Sequence, residues 1–221
     1  MVVCWDETSR PEDGLTLDWL LLHENIRFMK VFCVLISCLA LCIAPPVHGA
    51  DAPKAEPIFN GKDLTGWAPV HEVTFVVTNG NLRLVTGMGW LRTEKQYKDF
   101  VLEFEWCALE SGYDSGLFIR AGAEGKPWPT DGWQVNLSSS AVGALVKGYK
   151  TIVPAETPRQ PLNKWVKFRL EVRGKKVTLD VDGERAWEYN ELDAERGYIG
   201  IQAENKSFDF KNLTVQELPG S

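Results

Sequence analysis

From residue 58 onward, apolar and polar side chains alternate with a period of two. Phe100, Leu102, Phe104 and Trp106 alternate with Val101, Glu103, Glu105 and Cys107. Val166, Phe168, Leu170 and Val172 alternate with Lys167, Arg169, Glu171 and Arg173. Successive side chains of a strand point to opposite faces, so both runs predict strands with one buried face. The β-branched and aromatic stretch 74–77 reads as a strand. Asn79-Gly80 then gives a hairpin signal into a strand over 81–85. Further short strands are predicted over 90–93, 177–181, 184–189 and 198–203, with turns at Gly174-Lys175 and Asp182-Gly183. The last strand carries Phe208, Phe210, Leu213 and Val215, whose change of phase near Lys211-Asn212 predicts a bulge.

About ten to twelve strands at 8–12-residue spacing, without helical periodicity, predict an all-β fold: a two-sheet antiparallel jelly-roll sandwich. Segments 121–131 and 138–163 read as loops, and long loops on a rigid sandwich are where function concentrates.

The first 50 residues do not follow this pattern. Met29-Lys30 is followed by the apolar run 31–44, Pro45-Pro46 and small residues ending at Gly49-Ala50. A basic start, an apolar run too short to span a bilayer and a small-residue exit predict a signal peptide over 29–50. A secreted or periplasmic protein follows, with lipidation at Leu35-Ile36-Ser37-Cys38 a lesser option. Residues 1–28 read as an extension ahead of the true start at Met29, with 51–57 a Pro/Ala linker and 58–218 the folded domain.

Composition narrows the chemistry. The chain of 221 residues has a formal charge of -6. Without 1–50, 21 basic and 24 acidic residues remain, a charge of -3, with no basic stripe for nucleic acid. Only Cys107 is left of five cysteines, which excludes an internal disulfide and a cysteine zinc site. Only His71 is left of three histidines, with no nucleophile motif beside it, so a Ser-His-Asp triad is excluded. No cluster has metal-ligand spacing. No cofactor is predicted, although calcium on backbone carbonyls and scattered aspartates stays open. Nine tryptophans stand out, and flat aromatic faces suit sugars.

Two short runs carry the candidate site. In Ser115-Gly116-Leu117-Phe118-Ile119-Arg120, alternation puts Phe118 and Arg120 on one face. In Gly132-Trp133-Gln134-Val135-Asn136 it pairs Gln134 with Asn136. Arg120, Gln134 and Asn136 are expected to form a polar floor for a hydroxyl-rich ligand; a plain solvated sheet face is the alternative. Asp114 either closes a turn or sits at the rim of this floor. Asp131 lies between Trp128 and Trp133, and Lys147 and Tyr149 follow in the next polar segment. A lysine or tyrosine there could act as acid or base. Glu103 and Glu105, two residues apart, could form a glycosidase carboxylate pair. The longer Glu-x-Asp-x-x-Glu pattern of sandwich glucanases is missing, and two solvated glutamates are the simpler reading.

Several motifs, in order, carry a resemblance. They are Phe59-Asn60-Gly61-Lys62-Asp63-Leu64-Thr65-Gly66-Trp67, Asn79-Gly80-Asn81-Leu82, Trp90-Leu91-Arg92-Thr93, Ser115-Gly116-x-Phe118-x-Arg120, Asn163-Lys164-Trp165, Gly197-x-Ile199-Gly200-Ile201-Gln202 and Phe210-Lys211-Asn212-Leu213. Over about 58–218 the chain resembles the 3-keto-disaccharide hydrolase domain family. The resemblance implies a concanavalin A-like lectin/glucanase fold and cleavage of 3-keto-glycosides, as a hydrolase or as a lyase followed by hydration. It implies a saccharide ligand, and Arg120 and Gln134 suit the stabilising role in that chemistry, with Asp131 and Tyr149 joining them as catalytic candidates from their placement in the sequence. Asp114, Phe118, Trp128, Trp133, Asn136 and Lys147 would bind the substrate. Many relatives carry acids where Trp133 and Asn136 stand. A non-catalytic carbohydrate-binding module is the alternative.

Overall fold

A computed structural model describes residues 53–130, 132–155 and 160–219, all within one compact unit. The expected extension 1–28, the signal peptide 29–50, the start of the linker and Asp131 lie outside the described residues.

The described residues form thirteen strands and no helix. They are β1 (Glu56–Pro57), β2 (Trp67–Thr78), β3 (Asn81–Tyr97), β4 (Phe100–Ala108), β5 (Gly116–Ala121), β6 (Trp133–Asn136), β7 (Leu145–Lys147), β8 (Lys150–Val153), β9 (Val166–Arg173), β10 (Lys176–Val181), β11 (Glu184–Tyr189), β12 (Gly197–Glu204) and β13 (Phe208–Glu217). All pairings are antiparallel, in the order β11-β10-β9-β4-β13-β3-β12-β5-β6-β7-β8, with β1 on β13 and β2 on β3.

Strand β3 joins the two layers of this jelly roll. Its start, Leu82 to Leu84, pairs with Phe210 to Phe208 of β13 in the back layer. Its later part, from Met88 to Tyr97, pairs with β12 in the front layer. The sequence predicts separate short strands here, because glycines interrupt the pattern. Gly87 instead keeps β3 continuous, at φ +118°, where an added Cβ would lie 2.0 Å from the Glu72 carbonyl oxygen. Both residues of Asn79-Gly80 and of Asp182-Gly183 have positive φ, as tight two-residue hairpins require.

The core fills the space between the layers. Alternation along β4 and β9 brings Phe104 against Phe168, stacked at 5.0 Å and 3°. Phe208, Phe210, Leu102 and Leu170 from the back meet Leu91, Leu117, Ile119, Val135 and Ile201 from the front. Burying side chains of this size stabilises the fold by about 1.5–3 kcal/mol each. The bulge expected at Lys211-Asn212 is present: β13 shifts register against β4 between Lys211 and Thr214, with Asn212 at φ +53°. Strands β7 and β8 lie inside the segment 138–163 that was expected to be loop. They are short and separated only by Gly148 and Tyr149, so they leave little periodicity to read.

Candidate functional site

The front layer turns its outer face away from the core, and strand register decides what lies there. Directly paired residues share a face. Phe118 on β5 pairs with Gln134 on β6 and with Gly200 on β12, and Gly200 pairs with Arg92 on β3. Two residues along each strand, Gly116 pairs with Asn136 and Gln202 pairs with Trp90. Two further along, Glu204 ends β12 beside Asp114, which precedes β5.

One half of this face is aromatic. Trp90 and Phe118 meet edge-on at 5.7 Å and 76°, packed with Ala121, Val70, Trp128 and Tyr198. An added Cβ on Gly200 would lie 2.3 Å from the Trp90 ring, so glycine gives the indole its seat. Trp90 and Phe118 are themselves buried. Trp128, from the loop after β5, packs on them, and that loop is tied to β2 where His71 Nε2 meets the Gly125 carbonyl oxygen at 2.8 Å. The Arg92 guanidinium lies 4.1 Å from the centre of the Tyr198 ring.

The other half is a chain of polar side chains. Gln134 Nε2 donates to Gln202 Oε1, and Gln202 Nε2 donates to Glu204 Oε2 at 2.7 Å. Both glutamines are buried. Ser115 Oγ donates to the Gln202 carbonyl at 2.9 Å, which holds the Asp114 segment against β12. The Asp114 carboxyl is pushed up to about 6 by burial and by the negative charge of Glu204, against the opposing hydrogen bond from the Ser115 N–H. A carboxyl raised in this way can take a proton and return it near neutral pH.

Residues 54–216 match the family model described as the 3-keto-alpha-glucoside-1,2-lyase-like domain. The chain belongs to this family. Family membership ties it to glycoside lyase or hydrolase chemistry. No curated protein matches it. Among solved structures it is similar to a candidate glycosyl hydrolase from Parabacteroides distasonis, at 20% identity, TM-score 0.62, covering 75% of this chain and 94% of that one. It is similar to the carbohydrate-binding module CBM66 from Bacillus subtilis, at 17% identity, TM-score 0.59, covering 70% and 98%. It is also similar to the kappa-carrageenase from Pseudoalteromonas carrageenovora, at 13% identity, TM-score 0.51, covering 78% and 98%. At these identities the likeness is one of fold.

The expected floor is only partly assembled in this family member. Gln134, Asn136 and Phe118 share the outer face, Trp128 packs over its aromatic half, and Asp114 sits at its rim. Arg120 does not join them. Between the pairs Phe118–Gly200 and Ala121–Tyr198, β5 has one residue more than β12. This bulge, with Arg120 at φ +47°, gives the Phe118 face to Ala121 instead. The Arg120 guanidinium is buried at one end of the sandwich. It donates to the carbonyls of Lys98, Gly174 (2.6 Å) and Ala194 (2.8 Å) and to Asp99 Oδ1 (2.8 Å). It ties loops together, and burial lowers its proton affinity below the ordinary arginine value while Asp99 opposes that shift.

Trp133 also leaves the floor. It alternates with Gln134, so its ring enters the core and its Nε1 donates to Asp193 Oδ1 at 2.7 Å. Lys147, opposite Trp133, pairs with Asp193, and its Nζ lies 5.0 Å from the Trp133 ring centre. Tyr149 is 75% exposed at the turn between β7 and β8. Asp131 lies outside the described residues. Glu103 and Glu105 form ion pairs on the back layer, with Lys167 at 2.9 Å and Lys211 at 3.1 Å. Among the described residues, no three His, Cys, Asp or Glu side chains gather as a metal site.

Gln202 and Glu204 were not singled out from the sequence. The signal was there: Gly200 and Gln202 stand at period two inside the family motif, and Glu204 continues that period two residues beyond its end.

Proposed function

We propose that the domain cleaves 3-keto-glycosides at the outer face of its front layer, by removing the C2 proton. The observation that carries this reading is the carboxyl pair Asp114 and Glu204, with Gln202 hydrogen-bonded to Glu204. A ketone at C3 acidifies the C2–H bond. The pair takes that proton, and the electrons of the C–H bond pass to an enolate on the C3 oxygen. Collapse of the enolate forms C1=C2 and breaks the C1–O bond. The departing oxygen takes up a proton, which the pair can return. Water added across C1=C2 then gives the free 3-keto sugar. Asn136, on the same face as Gln134, can donate its amide N–H to the enolate oxygen. The aromatic half offers Tyr198 and Trp128 to the apolar face of a ring.

The test is incubation of the domain with 3-keto-trehalose while following glucose. Release of glucose supports the reading. Binding of the sugar without release supports the alternative, a carbohydrate-binding module, which the fold likeness to CBM66 favours. The same reading proposes a secreted or periplasmic enzyme, supported by Met29-Lys30 and the apolar run after it. Mass spectrometry of the exported protein should find an N-terminus near residue 50; export with residue 1 intact would contradict it.

A further inference from the structure

We infer that Gln202 is a positioning residue for Glu204, oriented by Gln134, and that Gly116 is the position that permits this link. The inference rests on the proposed role of the Asp114–Glu204 pair. Gln134 stands on β6 and Gln202 on β12, with β5 between them. Their amides can join only by passing over β5, and they pass over Gly116. A Cβ there would lie 1.9 Å from Gln134 Nε2 and 2.2 Å from its Cδ. Any residue but glycine displaces the amide.

The direction of the chain follows from chemistry. A glutamine amide has one accepting oxygen and one donating nitrogen. Gln134 Nε2 occupies the oxygen of Gln202, so the Gln202 nitrogen is the end turned toward Glu204. A reversed Gln202 would set nitrogen against nitrogen and oxygen against carboxylate in a buried place, where unmatched polar groups are costly. The two glutamines therefore present a donor to Glu204 and hold its carboxylate beside Asp114.

Few other charges reach the pair. Glu110 and Lys206, 4.0 Å apart, belong to the segments before Asp114 and after Glu204. Glu72 lies on β2 beyond Met88, the partner of Glu204 on β3. Asn136 and Ser138, toward β6, are neutral.

Three variants test this: Gly116→Ala, Gln134→Leu and Gln202→Leu. The clash in Gly116→Ala falls on the flexible end of Gln134, so the side chain swings away and the strand stays in place. Two readouts apply: kcat and KM on 3-keto-trehalose, and carbon NMR titration of the Asp114 carboxyl, which needs no turnover. All three variants should lower kcat by about 10²-fold with KM little changed, as misplacement of a reacting group does. All three should also move the Asp114 midpoint down toward the ordinary carboxylate range, because Glu204 is no longer held against it. An Asp114 midpoint unchanged in Gly116→Ala and Gln134→Leu overturns the inference, whatever the activity. A wild-type domain without turnover instead defeats the proposed function and leaves the titration to decide the positioning.

Discussion

Arg120 Nη2 lies 2.8 Å from Asp99 Oδ1, and both side chains are only 1% exposed. The same guanidinium caps the carbonyls of Gly174 and Ala194, and Asp99 Oδ1 also accepts the Gly174 N–H at 2.8 Å. One arginine thus fastens the β3–β4 turn, the β9–β10 turn and the segment before β12. Removing one partner leaves the other charge buried and unpaired. Arg120→Ala should therefore destabilise the domain by roughly 3–5 kcal/mol. For a domain of this size that lowers the melting temperature by about 10 °C or more. Activity per folded molecule should persist. Calorimetry beside initial rates decides it: lost activity at an unchanged melting temperature would return Arg120 to the site.

Asp114 gives a pH signature in stability. Its folded value, about 6, is above its ordinary 3.8. Between these values the folded state binds more protons than the unfolded one, so stability falls as pH rises through that window. The contribution is fully present below about pH 4 and lost above about pH 6. Asp114→Asn, which cannot ionise, should gain stability relative to wild type as the pH rises from 4 to 7.5. Thermal melts of both proteins across that range check this; a constant difference would contradict it.

Glu103 and Glu105 should be dispensable for chemistry. Their carboxylates pair with Lys167 and Lys211 on the back layer, and such partly exposed pairs contribute about 0–1 kcal/mol. Glu103→Gln and Glu105→Gln should keep the wild-type rate and melt within a few degrees of it. Loss of turnover in either would mean that the back layer takes part.

The fold was legible because β4 and β9 alternate over eight or more residues and two hairpins carry their own turn residues. The site was legible only where pairing runs without a shift. Gln134 and Asn136 lie on one regular strand, so period two places them on one face. Arg120 lies within a bulge that period two cannot see, since the extra residue is defined by β12, about 80 positions later in the chain. The Asp114–Glu204 pair was hidden for a similar reason. Its members are far apart in sequence, and only the β5–β12 register brings them together. Trp133 looked like a sugar platform because it is aromatic and beside Gln134, yet adjacency on a strand sends it to the opposite face.

The most direct measurement is proton NMR of a 3-keto-glycoside in deuterium oxide, following the C2 proton with wild type, Asp114→Asn and Glu204→Gln. Wild type should remove the C2 proton and release the C1 substituent. Each carboxyl variant should slow this by about 10²-fold or more, the usual contribution of a positioned acid or base. A C2 proton that stays in place with saturating wild-type protein, or one removed at the wild-type rate by both variants, would contradict the assignment of chemistry to this pair.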